Sequence, residues 1–90
     1  MFEKDFVWGV AAAAYQTEGA VKEGGRTSCI WDMYCRKDGV IYNGENADIA
    51  CNFYHRYKED IKLMKEMGVK AFRMSISPVR ILPKEDGKVN

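Results

Sequence analysis

The sequence predicts an α/β protein built as strand, helix, strand, the βαβ arrangement of a parallel pair joined by a right-handed crossover. Three observations lead there. A short apolar run covers Phe6 to Ala14, an amphipathic stripe at helical spacing lies between Ala47 and Met67, and a β-branched and aromatic segment covers Val69 to Ile76.

The first run reads Phe-Val-Trp-Gly-Val-Ala-Ala-Ala-Ala, with charges before it and polar residues after it, as a fully buried strand has. The alanines also suit a helix, so periodicity alone leaves both states open. In a strand, Gly9 and the small alanines fit an inner wall where groups on neighbouring strands, or a ligand, come close. Glu18 to Asn46 is a glycine-rich excursion with turn signals at Gly24-Gly25 and Asn43-Gly44. Within it, Ser28 to Arg36 reads as a short helix, with Ser28 at its N-cap and Asp32 in its first turns. A connection of this length without regular structure is usually functional or leans on a larger body.

The main helix follows. Ala50, Phe53, Tyr54, Tyr57, Ile61 and Met64 form one apolar stripe, while Arg56, Glu59, Lys62 and Glu66 lie off it. Asn46 suits the cap, Asp48 complements the dipole at the start, and Gly68 suits the position just past the end. Val69 to Ile76 is then the second strand, with Pro78 ending it.

The 90 residues allow one domain at most, and a chain this short buries about 60% of its extended surface on folding. With 47% hydrophobic and 30% charged residues the composition is that of an ordinary soluble protein. Fourteen basic and thirteen acidic side chains give a net charge of +1. That balance offers no electrostatic reason to expect nucleic acid or an anionic membrane as partner. No apolar run approaches the roughly 20 residues of a membrane span. Met1 to Asp5 lacks the basic-then-apolar pattern of a signal peptide, and the odd count of cysteines (Cys29, Cys35 and Cys51) favours reduced thiols. Both point to the cytoplasm. Cys51 and His55 are spaced to share a helix face, but the cysteines lack the close pairing of zinc sites, so buried or incidental thiols are expected and no metal or cofactor is called for.

Two segments carry a family likeness. One is Phe6-Val-Trp8-Gly9-Val-Ala-Ala-Ala-Ala-Tyr15-Gln16-Thr-Glu18-Gly-Ala20. The other runs from Tyr54-His55-Arg56-Tyr57-Lys58-Glu59-Asp60 through Met64-Lys-Glu-Met-Gly68 to Phe72-Arg73-Met-Ser75-Ile-Ser77 and Arg80-Ile81-Leu82-Pro83, and Ser28-Cys-Ile30-Trp31-Asp32 lies between them. Together they resemble glycoside hydrolase family 1 over essentially the whole chain. The resemblance implies a β-glucosidase-like TIM (β/α)8 barrel, a fold of about 250 residues or more. Residues 1–90 would be the incomplete N-terminal part of that single domain: first strand, first helix with its preceding loop, and second strand. It further implies a retaining mechanism, in which one carboxylic acid protonates the leaving oxygen and a second carboxylate, roughly 5 Å away, attacks the anomeric carbon. The family carries those glutamates in Asn-Glu-Pro and Glu-Asn-Gly motifs after later strands. Neither tripeptide occurs here, and Gly44-Glu45-Asn46 is not one of them.

Gln16 is the leading site residue. A primary amide can donate to and accept from two adjacent sugar hydroxyls, and its place after the first strand is where barrel active sites assemble. By resemblance it matches the glutamine that binds the non-reducing sugar. Arg73 is second. An arginine inside a buried strand is costly without a carboxylate, and the matching family arginine lies beside the nucleophilic glutamate, keeping it ionised. The plainer alternative for Arg73 is a structural ion pair with Glu18. A catalytic pair drawn from Glu18, Asp32 and Asp48 is not expected, because nothing opposes two of them closely. Trp8 and Tyr15 are expected to pack, and His55 to be a hydrogen-bonded structural histidine. The family usually places a tryptophan after Ser-Ile-Ser where this chain has Pro78.

Two functions follow. The first is a segment of a retaining β-glycosidase, inactive alone and acting on a β-linked sugar within the whole barrel. The second is a non-catalytic module that associates with itself or complements a barrel fragment, since two strands and one helix leave open edges and an uncovered face. Preference for glucoside, galactoside or 6-phospho-glycoside, and the aglycone, would depend on later loops.

Overall fold

The computed structural model describes residues 2–90. In chain order the elements are β1 (Gly9–Ala11), α1 (Ala14–Thr17), α2 (Ile30–Cys35), α3 (Phe53–Glu66), β2 (Ala71–Arg73) and α4 (Pro78–Ile81), with one 3-10 turn at Tyr42–Gly44. β1 and β2 pair in parallel, Gly9 opposite Ala71 and Ala11 opposite Arg73. The ladder extends at both ends: the Lys70 N–H donates to the Trp8 carbonyl and the Ala12 N–H to the Arg73 carbonyl, each at 2.9 Å. Beyond the strands, the Ala14 N–H donates to Ser75 Oγ at 2.6 Å, which holds the start of α1 against the chain leaving β2.

The first strand is shorter than the apolar run predicts, because α1 already begins at Ala14. Nor is the run buried: Phe6, Val7 and Trp8 are exposed, with Trp8 packed edge-on against Phe2 and Phe6 at 4.8 and 4.9 Å between ring centroids. Gly9 does stand where a neighbour comes close. A Cβ there would lie 2.9 Å from the Ala71 carbonyl oxygen and 3.0 Å from the Ala71 Cβ.

α3 starts six residues later than its stripe suggests. Ala50 and Asn52 adopt positive φ, 49° and 55°, which breaks the helical path, and Asn52 takes the N-cap position. The expected capping residues serve a loop instead. Asn46 Oδ1 accepts from the Asp48 N–H, and the Asp48 carboxylate accepts from Arg36. The far end follows the Schellman pattern, with Gly68 at φ +79, its N–H on the Lys65 carbonyl and the Val69 N–H on the Met64 carbonyl. α3 packs on β2 through Phe53 and Phe72, ring centroids 6.1 Å apart.

α2 also starts later than predicted, with Cys29 rather than Ser28 at the N-cap, because the Asp32 carboxylate accepts the Cys29 N–H at 2.8 Å. β2 ends at Arg73, and Pro78 does not terminate it. It opens α4 instead, where its missing N–H costs no helical hydrogen bond. Among the described residues Ala20, Ala47 and Asp32 are buried as whole residues, and the Arg26 side chain is buried against Asp32. No helix among them is long and apolar enough to cross a membrane.

Candidate active-site wall

Side chains alternate across a strand, so Phe72, facing α3, puts its neighbour Arg73 on the opposite face of the sheet. Arg73 is exposed there, as the last residue of β2. Among the described residues its guanidinium has no ion-pair partner, and the pairing with Glu18 that the sequence allows is not formed. Gln16, also exposed, sits on α1 just beyond β1. Because the strands are parallel, Arg73 at the end of β2 and Gln16 just beyond β1 lie at the same, C-terminal, end of the sheet.

Gln16 lines a hollow of about 500 Å3 with Tyr15, Trp31, Cys35, Asn46 and Ala47. The walls come from three segments brought together by the glycine-rich excursion. Tyr15 stacks on Trp31 at 6.2 Å and Trp31 meets Tyr34 edge-on at 5.7 Å. The Tyr15 hydroxyl lies 3.2 Å from Cys35 Sγ. Burial, followed by that thiol contact, pushes the Tyr15 phenol up to about 12, so it is neutral at physiological pH.

Each carboxylate that could have been drafted for catalysis is held by a separate arginine. Glu18 accepts from Arg80 Nε at 3.1 Å, Asp32 from Arg26 at 2.8 Å and Asp48 from Arg36 at 3.0 Å. Burial pushes the Asp32 carboxyl up, but the Cys29 N–H and the Arg26 guanidinium outweigh it and hold the group below its ordinary value. Sequence reasoning passed over Arg26 entirely, and it knew Arg80 only as part of a motif. Arg26 is in the loop six residues before Asp32 of α2, with no periodicity to link them, and Arg80 lies 62 residues from Glu18. His55 bonds to Asn52 Oδ1 at 2.8 Å and Glu23 Oε1 at 3.1 Å. Among the described residues no cluster of three or more His, Cys, Asp or Glu side chains could hold a metal ion.

The model of glycosyl hydrolase family 1 matches residues 1–90. The chain belongs to that family. Beta-glucosidase A of Acetivibrio thermocellus is 54% identical over 89 residues, which is 99% of this chain and 20% of that one. An aryl-phospho-beta-D-glucosidase of Bacillus subtilis is 48% identical over 89 residues, 99% of this chain and 19% of its own. Among solved structures, a beta-glucosidase from Exiguobacterium marinum superposes with a TM-score of 0.93 at 51% identity, over 100% of this chain and 20% of that one. The beta-glucosidase of Thermotoga maritima, in complex with a substituted glucoimidazole, gives 0.92 at 46% identity, over 99% and 20%. This family 1 chain is therefore a segment of a TIM barrel, and it spans about a fifth of the length of the curated relatives it matches.

Proposed function

We propose that this chain is the strand–helix–strand start of a retaining β-glycosidase of the β-glucosidase type, hydrolysing O-glycosidic bonds. In it, Gln16 binds the glycone and Arg73 supports the nucleophilic carboxylate, while the acid and nucleophile come from later strands. The observation that carries this is the common placement of Gln16 and Arg73. Both lie at the C-terminal end of the parallel pair, where TIM-barrel active sites assemble, and Arg73 is on the face away from α3. In a barrel the helices form the outer ring, so that face is the inner one. Gln16 also borders a hollow partly walled by aromatic rings, which suits a sugar held by its hydroxyls and ring face.

Relatives of nearly equal identity include a beta-glucosidase, an aryl-phospho-beta-D-glucosidase and a bifunctional beta-D-glucosidase/beta-D-fucosidase. Glycone preference is accordingly assigned to parts of the barrel outside these residues. In the complete enzyme, Gln16→Ala should raise KM for an aryl β-glucoside roughly tenfold, the effect of losing one or two hydrogen bonds to hydroxyls. Arg73→Ala should lower kcat and move the acid limb of the pH profile upward, since the nucleophile loses the charge that keeps it ionised. Gln16→Ala with KM unchanged would sink the glycone-binding role.

A second role rests on the apolar surface of the sheet and its flanks, where Trp8, Val10, Met74 and Ile76 are exposed. This surface fits docking to the remaining barrel strands or, in the isolated chain, to another copy.

A further inference from the structure

The side chain that ties the two ends of this segment together is Arg80, on α4. Its Nε donates to Glu18 Oε2 at 3.1 Å, one terminal nitrogen donates to the Gly19 carbonyl and the other to the Glu23 carbonyl, both at 3.3 Å. The guanidinium carbon lies 4.5 Å from the Tyr54 ring centroid, a cation–π distance. Arg80 and Glu18 are 14% and 15% exposed, so the pair is largely shielded from water and resists screening.

Glu18 is more than a partner for charge. It is the C-cap of α1, its N–H donating to the Ala14 carbonyl, and its own carbonyl accepts the Tyr54 N–H at 3.0 Å. α1 is a single turn of four residues with no side-chain cap, too short to hold its own geometry. What fixes it is the Ser75 hydroxyl at its start and the Glu18 anchorage at its end. Gln16 is in the middle of that turn.

We infer that Arg80, acting through Glu18, is a positioning residue for Gln16: it clamps the end of α1 so that the amide is presented past the sheet at a fixed angle. The inference rests on the glycone-binding role proposed for Gln16. The planar fork is what the clamp requires, because three acceptors in different directions are met at once, which an ammonium on a flexible stem does not reproduce.

The test is a double-mutant cycle in the complete enzyme, with steady-state kinetics on an aryl β-glucoside. Arg80→Lys keeps the charge and should raise KM roughly three- to tenfold with kcat changed less than about twofold, as expected when a binding group is misplaced. Glu18→Gln, approaching the clamp from its other side, should do the same. In the Gln16→Ala background, Arg80→Lys should change KM by less than about 1.5-fold, since the group it positions is gone. If Gln16→Ala raises KM but Arg80→Lys adds its full effect on top, the positioning role is overturned while Gln16 keeps its role. If Gln16→Ala leaves KM unchanged, the role of Gln16 falls, and the inference with it.

Discussion

Between α1 and the first turn of α2 a charged pair is buried, whereas along the sheet and its flanks large apolar side chains face water. Arg26 and Asp32 are each 4% exposed, while Trp8 is 57% exposed and Ile76 is 73% exposed. The usual order of inside and outside is thus inverted between the two regions. One terminal nitrogen of Arg26 donates to the Val21 and Thr27 carbonyls and to Asp32 Oδ2, which also accepts the Cys29 N–H, while Arg26 Nε and Asp32 Oδ1 are buried without a partner among the described residues. Among the described residues each strand has one parallel neighbour, so each keeps an open edge, as a barrel wall does before closure. Loop geometry between α1 and α2 is therefore set locally, while the strands keep open edges.

Association offers the most drastic way to break this comparison. In isolation the chain should form oligomers at micromolar concentration, because an exposed apolar face and open strand edges invite pairing. A clean monomer by light scattering would show that the sheet is finished after all. Next comes the loop's charge pair. In the complete barrel, Asp32→Ala should cost about 3–5 kcal/mol by chemical unfolding, because it leaves the Arg26 guanidinium buried and uncompensated. The pH dependence has a fixed sign. Asp32 titrates below its ordinary value when folded, so its contribution is present above about pH 4 and is lost as pH falls through the lowered value. Asp32→Asn should remove that acid-limb dependence, and an unchanged limb would assign it to other groups.

A smaller effect is expected on the sheet. Gly9→Ala places a Cβ against the Ala71 backbone and should cost about 1–3 kcal/mol, by the same unfolding measurement. Smallest is Arg36→Ala, which removes an ion pair whose side chains are 45% and 41% exposed and should cost under about 1 kcal/mol. A cost comparable to that of Asp32→Ala would erase the distinction between buried and surface pairs.

The parts of the fold legible in the sequence are those governed by period. The stripe Phe53, Tyr54, Tyr57, Ile61 and Met64 and the glycine at 68 announce α3 and its end. Its beginning is not legible, since Ala50 carries good helix propensity and yet lies at positive φ in a turn closed by the Asn52 N–H on the Ile49 carbonyl. The place of Gln16 just beyond β1 is legible from the apolar run before it, and its proposed role from the family likeness. The arginines that organise the loop are not. Arg26 and Arg80 make contacts set by chain path rather than by spacing, and a guanidinium in a loop looks like any solvated charge until its partners are placed. The exposure of Phe6 to Trp8 follows from the neighbours a strand acquires, which no local pattern records.

The central proposal is that this family 1 segment supplies a sugar-binding wall, while the carboxylate pair that cleaves the bond comes from other strands of the barrel. The most direct measurement is hydrolysis of an aryl β-glucoside by the purified 90-residue chain, beside a complete family 1 enzyme as reference. The expected result is release of aryl alcohol no faster than in buffer alone. Turnover that persists through rigorous purification and disappears with Glu18→Gln would contradict the claim.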